Sequence, residues 1–436
     1  MASDRLVIAG GRKLDGELWV SGAKNAALPV MAAALLTSDE SVFYNVPDIE
    51  DTRVMADILA RLGCEVHFDG QAHRVSVSAR ALHSQAIPLD LASRMRASFL
   101  VVGPLLARTG RAVAPPPGGC AIGTRPVNVD IKGFAAMGAS VKLDDAGYVI
   151  EAPAGRLRGE RIYLDYPSHT GTENLLLAAV LARGKTVIKN ASHEPEVVGL
   201  ISLLEQMGAR ISGAGSSMLE IEGVEQLRGV HYRVIPDRIE AGTFAIAAAI
   251  TGGEVVLRDI ISAHMDPLTY KLREAGVEVE ESGETWRVRA RFPMRALEVQ
   301  TLPYPGFPTD LQAELATLLT QAEGTSVVHE RVYDNRLRYA AELRRLGAVI
   351  DVNGQTAIIK GPTKLHGASV TALDLRAGAA LTLAGLAAQG NTEISDVYHI
   401  DRGYERFDDK LRSLGADIWR VTDRDPALAG LRLKPG

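Results

Sequence analysis

The chain has 436 residues, of which 46% are hydrophobic and 23% charged, with a net charge of −5. That length exceeds one ordinary core, so two or three domains are expected, and the composition is that of a globular protein. The weakly acidic balance excludes general nucleic-acid binding, which needs a basic stripe to neutralise phosphates. Any anion must therefore be met by a local cluster of cations.

Taken from the N-terminus, there is no long apolar run of the secretory kind. Ser21-Gly22-Ala23-Lys24-Asn25 leads into an Ala/Leu-rich helix. Leu62-Gly63-Cys64 then closes an amphipathic helix and begins a β-forming segment. The same phrase returns as Met137-Gly138-Ala139, Met207-Gly208-Ala209, Ala275-Gly276-Val277, Leu346-Gly347-Ala348 and Leu414-Gly415-Ala416, roughly 70 residues apart. A glycine just past a helix supplies the left-handed C′ residue. A second phrase, a turn followed by a strand, recurs half a repeat upstream at Gly184, Gly253 and Gly324. The unit reads helix, strand, helix, strand, strand. Six such units predict an α/β protein of two compact domains with three units each, because the period is longer than that of solenoids.

Pro115-Pro116-Pro117-Gly118-Gly119 is the one conspicuous irregular segment inside a repeat, where function tends to sit. Cys120 follows it and precedes Arg125. A thiol beside an arginine on a loop can act as an acid or nucleophile, whereas a small buried cysteine is the commoner case and suits Cys64. Two cysteines build no disulfide framework, which points to a reducing cytoplasm. Several helices open on charged or polar residues that favour anions: Lys24, Arg125-Pro126, Asp237-Arg238, Thr309-Asp310 (with capping-box spacing to Gln312), Asp374-Leu375-Arg376 and His399-Ile400-Asp401-Arg402. Each alone reads as a cap or solvated surface. Repeat symmetry places such starts on one side of each domain, so that two faces can form an anion-binding cleft.

Ser168-His169, read on an extended segment, is a poor catalytic pair because neighbours point opposite ways. His193-Glu194-Pro195-Glu196 has no second histidine at helical spacing, so no metal site is read there. The glycine-rich stretches match neither a Walker loop nor a dinucleotide fingerprint, so no cofactor is expected. The longest uncharged stretch, 377–392, is too short and too polar to span a bilayer, and no membrane partner is expected.

Ser21 to Pro29, Met95-Arg96-Ala97-Ser98, Pro117 to Gly123 with Arg125-Pro126-Val127, Phe307-Pro308-Thr309-Asp310, and Tyr398 to Arg406 together resemble the UDP-N-acetylglucosamine 1-carboxyvinyltransferase family, nearly end to end. The resemblance implies a two-domain inside-out α/β barrel with βαβαββ-type units. One domain would comprise 1–22 plus 236–436 and the other 23–235, with a lid loop over 115–124. It implies transfer of the enolpyruvyl group of phosphoenolpyruvate to the 3-hydroxyl of UDP-N-acetylglucosamine with release of phosphate, the first committed step of peptidoglycan synthesis. Both substrates are small molecules.

Residue by residue, the resemblance places Lys24, Asn25, Arg125 and Arg402 in the donor site, with Lys24, Arg125 and Arg402 on the phosphate. Arg336 and Arg376 would serve the donor carboxylate. Cys120 matches the family's proton donor and Asp310 the carboxylate that receives the hydroxyl proton. Lys24 and Arg402 join them as catalytic positions. Arg96, Arg125, Pro126, Val127, Asn128, Val129, Ser168, Asp310 and Val332 correspond to positions on the nucleotide sugar. Asn128, Asp130, Tyr166, His169 and Gly199 depart from the family pattern on the uridine and diphosphate side, which bears on nucleotide specificity. The rival readings are the shikimate-phosphate branch of the same fold, a transferase for another uridine nucleotide, and a silent binder of UDP-N-acetylglucosamine. The Pro-Gly-Gly-Cys loop argues against the first. Retention of Lys24, Cys120, Arg125, Asp310 and Arg402 argues against the last.

Overall fold

The computed structural model describes residues 4–118, 127–145, 147–152 and 155–422. Cys120, Arg125, Pro126 and most of the 115–124 loop lie outside them.

All six closing glycines lie in the left-handed region, Gly63 at φ 108° and the other five between 91° and 105°. A Cβ there is strained, so glycine sets the end of each outer helix and the turn into the strand that follows. A second repeated device marks the turn after the second strand of a repeat. Asn45, Asn190, Asp259 and Asp396 all take φ of 57–58° there. Asn and Asp tolerate this conformation because their short polar side chains bond locally. The two repeats without it carry Pro115 and Glu330 at that place.

One repeat shows the common sheet. Arg161–Tyr163 runs parallel to Lys185–Lys189, which pairs antiparallel with Met218–Glu222, itself antiparallel to Arg210–Ser212. Other sheets reuse this order with strands borrowed across the chain. His231–Arg233 supplies the parallel edge beside Glu40–Tyr44. Asp15–Trp19 does the same beside Glu254–Arg258. Arg5–Ala9 sits between Asn391–Ser395 and Asp417–Val421, antiparallel to both. Among the described residues, the sheet of Arg111–Ala114 keeps a single parallel bridge, Ala86 to Val113, in place of the parallel edge strand.

The described residues form two compact units, one of 21–236 and one of 4–20 with 237–422. In the latter, the helices Arg238–Ile250, Gln312–Leu319 and Leu375–Ala387 pack on one another and are buried along almost their whole lengths. Their Ala and Gly content lets three helices share one centre. The sheets lie outside them, burying alternate residues such as Val255 and Leu257. The other unit repeats this with the helices Lys24–Ala33, Val102–Thr109 and His169–Ala179. The sheets stay open, so each unit is inside-out by layer order: helices within, sheets without. The chain passes from one unit to the other beside Gly22 and Pro236, which form an antiparallel bridge, and Ala23 N donates to Ile235 O at 2.7 Å.

Candidate functional site

Asp310 stands on the single turn Thr309–Leu311 that opens the buried Gln312–Leu319 helix. Its carboxylate takes one guanidinium on each oxygen. Arg336 Nη2 donates to Oδ1 at 2.7 Å and Arg376 Nη2 to Oδ2 at 3.0 Å. Burial alone would raise this carboxyl, but the two arginines outweigh it and hold it well below the usual aspartate range. Both arginine side chains are 5% exposed and Asp310 is 27% exposed, so the aspartate caps the pair toward solvent.

The arginines have further supports. Arg336 Nη1 donates to Thr309 Oγ1 at 2.9 Å, and that hydroxyl donates to Glu330 Oε2 at 2.8 Å. Glu330 Oε1 accepts from the backbone N–H groups of Val332 and Tyr333, which ties the Val332 loop to the same network. The Thr309–Gln312 capping box expected from spacing is therefore not formed. Thr309 spends its hydroxyl on Glu330 and Arg336, and the residue before the turn is Pro308. By contrast, Asp374 does cap its helix, accepting from the N–H groups of Arg376 and Ala377. The Arg376 guanidinium lies 5.2 Å from the centre of the Tyr404 ring, within cation–π range.

Glu314, one turn beyond Asp310, is fully buried and accepts from Tyr404 Oη at 3.2 Å. Burial pushes its carboxyl up to about 8, against the pull of Arg376. Tyr404 Oη also pairs with Thr243 Oγ1 at 2.7 Å. Arg402, 8% exposed, follows the Tyr398–Asp401 turn. His399 is lowered by burial and then by Arg402, with Asp374 acting in the opposite sense. Asp374 also acts electrostatically on Arg336, so Arg402 belongs to the same charged neighbourhood.

In the other unit, Lys24 begins its helix and Asn25 follows, half-buried. Arg96 lies on the turn Arg96–Val101 and acts electrostatically on Asp130, which is buried in the Asn128–Ala136 helix. Burial pushes Asp130 up to about 6, while a 2.8 Å hydrogen bond from Asn174 Nδ2 and the charge of Arg96 oppose the rise. Asn174 also accepts from Gly103 N–H and donates to Phe99 O, so one amide joins three segments. Ser168 caps the next helix by accepting from Gly171 N–H. A Cβ on Gly171 would lie 2.7 Å from Val129 Cγ1 and 2.9 Å from Ser168 Oγ, so Ser168 and Val129 flank this glycine. Val127 is buried and Asn128 exposed. At the base of the Pro115 segment, a Cβ on Gly118 would lie 1.9 Å from Ser93 O, so glycine is required where the loop leaves the turn before Arg96.

Three readings of the sequence need correction or addition here. Ser168-His169 spans a helix start, with Ser168 extended at the N-cap, its hydroxyl given to Gly171 N–H, and His169 the first helical residue. His169 Nε2 instead lies 3.0 Å from Glu173 and Nδ1 3.7 Å from Glu194. Burial would lower this histidine, but Glu173, Glu194 and Glu196 raise it to about 10. His169, Glu194 and Glu196 place possible metal-ligand atoms within 4.8 Å of one another, although linear spacing showed no such group. Gly199, read from the sequence as a departure from the family pattern, accepts at its carbonyl from Tyr232 Oη at 2.8 Å. Sequence reasoning passed over Asp51, Glu314, Glu330 and Asn174. Glu314 and Asn174 show in the sequence only as polar residues within apolar helices, Asp51 as an acid in a helix's first turn, and Glu330 as an acid just past a strand.

A family model described as EPSP synthase (3-phosphoshikimate 1-carboxyvinyltransferase) matches residues 8–411. UDP-N-acetylglucosamine 1-carboxyvinyltransferase 2 of Carboxydothermus hydrogenoformans is 50% identical over 423 residues, covering 96% of this chain and 100% of the relative. UDP-N-acetylglucosamine 1-carboxyvinyltransferase of Desulfatibacillum aliphaticivorans is 50% identical over 418 residues, with the same coverage. The chain belongs to the UDP-N-acetylglucosamine 1-carboxyvinyltransferase family.

Membership in this carboxyvinyltransferase family makes it an enzyme of the enolpyruvyl-transferase class. Among solved structures, the enolpyruvyl transferase NikO from Streptomyces tendae is 28% identical with a TM-score of 0.88, covering 97% of this chain and 100% of that one. EPSP synthase from Acinetobacter baumannii is 18% identical with a TM-score of 0.75, covering 96% and 100%. At that identity the shikimate-phosphate branch shares the fold alone. No helix among the described residues is long and apolar enough to cross a membrane.

Proposed function

We propose that the enzyme transfers the enolpyruvyl group of phosphoenolpyruvate to the 3-hydroxyl of UDP-N-acetylglucosamine and releases phosphate, as the first committed step of peptidoglycan synthesis. Half the residues are shared, over the full length, with transferases of that name. The structural observation that carries the reading is a carboxylate, Asp310, bound by two buried arginines. Buried arginines in a forked arrangement suit a carboxylate ligand.

In this reading the acceptor's oxygen bonds to C2 of the donor as its proton passes to Asp310, and Cys120 gives a proton to C3. The tetrahedral intermediate then loses phosphate from C2 and a proton from C3, restoring the double bond. A positioned general base contributes about 10²–10⁴-fold. Lys24, Arg125 and Arg402 hold the phosphate, with Asn25 beside it, and Arg336 and Arg376 hold the carboxylate. One charge contact is worth about 1 kcal/mol in water and about 4 at an effective dielectric of 20, so a loop at 115–124 that excludes water strengthens each contact. Arg96, Pro126 to Val129, Ser168 and Val332 serve the nucleotide sugar.

A phosphate-release assay on the purified enzyme tests this directly. Release should require both substrates. Release with another uridine nucleotide but none with UDP-N-acetylglucosamine would assign the enzyme to a different acceptor, a specificity for which Asp130, Tyr166 and His169 are the residues to exchange.

A further inference from the structure

The Asp310 geometry conflicts with a simple base. A carboxylate held by two guanidiniums sits far below the pH at which it would accept a hydroxyl proton, and efficient bases lie near the working pH. The same contact occupies the two arginines that a donor carboxylate would use. Each oxygen of Asp310 meets one arginine, which is the arrangement a carboxylate ligand adopts on a guanidinium pair. Asp310 is also the more exposed partner, so a ligand reaching the arginines from solvent meets Asp310 first.

We propose that Asp310 is a built-in stand-in for the donor carboxylate: it holds Arg336 and Arg376 in the empty enzyme, the carboxylate of phosphoenolpyruvate displaces it, and the displaced Asp310 then serves as the base. This rests on the donor assignment made above.

The surroundings suit an exchange. Arg336 keeps Thr309 Oγ1, itself fixed by Glu330, when Asp310 leaves. Arg376 keeps its stacking on Tyr404, and its Nε–H, buried, meets no acceptor among the described residues. The guanidiniums are thus held by groups other than the one that departs, so the site is ready for a second carboxylate. Asp310 itself projects from a single turn and needs only a side-chain rotation to vacate it. Once its two cations are taken by the ligand, its carboxyl returns toward the ordinary range. The acceptor is then deprotonated only when a donor is present, which couples the two substrates without a second site.

The test is calorimetric binding of phosphoenolpyruvate to the wild-type enzyme, Asp310→Asn and Asp310→Ala. Removing an internal competitor should tighten donor binding about tenfold or more while abolishing turnover. Unchanged or weaker binding overturns the exchange. A crystal structure of the wild-type enzyme with phosphoenolpyruvate decides the matter if the variants do not fold. The ligand carboxylate on both arginines with Asp310 turned away supports the proposal, and Asp310 still bridging both arginines sinks it. Failure of the wild-type enzyme to turn over phosphoenolpyruvate with UDP-N-acetylglucosamine would instead remove the functional reading beneath it.

Discussion

Lys24 Nζ lies 2.8 Å from Asp51 Oδ2, with the side chains 12% and 3% exposed. A cation at the start of a helix, assigned to an anionic donor, is thus already balanced by a carboxylate one helix away. Removing one partner of a buried pair strands the other charge. We expect Asp51→Asn to cost about 3 kcal/mol, the lower end for such pairs, because Lys24 has further contacts. Urea unfolding measures this. A midpoint and slope equal to wild type would mean the pair is structurally idle.

Glu314 sets a pH dependence of stability. Its folded carboxyl, at about 8, lies above the ordinary glutamate value of 4.5, so the folded state binds the extra proton. Stability from this group is full below about pH 4.5 and declines as pH rises through 8. Glu314→Gln keeps an acceptor for Tyr404 without the charge. We expect its melting temperature to exceed wild type by a few °C at pH 8.5, with the difference vanishing near pH 4.5. Parallel curves at all pH values would contradict this.

Asp130 follows the same sign over a lower window. Burial holds it at about 6 against an ordinary 3.8. Asp130→Asn, still able to accept from Asn174, should gain up to about 3 kcal/mol relative to wild type at pH 7 and nothing below pH 4. Denaturant titrations at both pH values check it.

The two cysteines should differ in reactivity. Burial pushes the Cys64 thiol up to about 12, against a weak pull from Arg108, so it is not a thiolate near neutral pH. Alkylation of the folded enzyme, including by an epoxide such as fosfomycin, should therefore add one equivalent that Cys120→Ala removes. Label retained in that variant would locate the reactive thiol at Cys64.

The N-terminal strands belong structurally to the far end of the chain. Leu6, Ile8, Leu14 and Leu18 are at most 6% exposed, and burying four such side chains contributes roughly 6–12 kcal/mol. Deleting 1–20 should abolish cooperative unfolding of the 237–422 unit. A permuted chain starting at Ser21, with 1–20 following Gly436, should restore it, since Arg5–Ala9 pairs antiparallel with Asp417–Val421. A truncated chain that melts like wild type would refute this.

The repeat was legible in the chain because six glycines must adopt the same left-handed angle, and that demand leaves a mark at fixed spacing. The parallel edge strand His231–Arg233 beside Glu40–Tyr44 left no such mark, because pairing between residues as far apart as His231 and Val42 has no local signature. Asp310 and Arg376 stood out as charges near helix starts and Arg336 only through the family resemblance, yet their mutual contact depends on two successive repeats packing together. Thr309 was misread because capping spacing is local and Glu330 is not. His169 drew attention as a departure, but the three glutamates that charge it come from two helices, and only the fold brings them within reach.

Product analysis decides whether the enzyme transfers an enolpyruvyl group. Purified enzyme is incubated with phosphoenolpyruvate and UDP-N-acetylglucosamine, and the nucleotide product is examined by mass spectrometry and proton NMR. The product should bear a vinyl CH₂ pair on an enol ether at the sugar's O3, with one phosphate freed per product. Recovery of unmodified UDP-N-acetylglucosamine after prolonged incubation with active-site cysteine intact would contradict it.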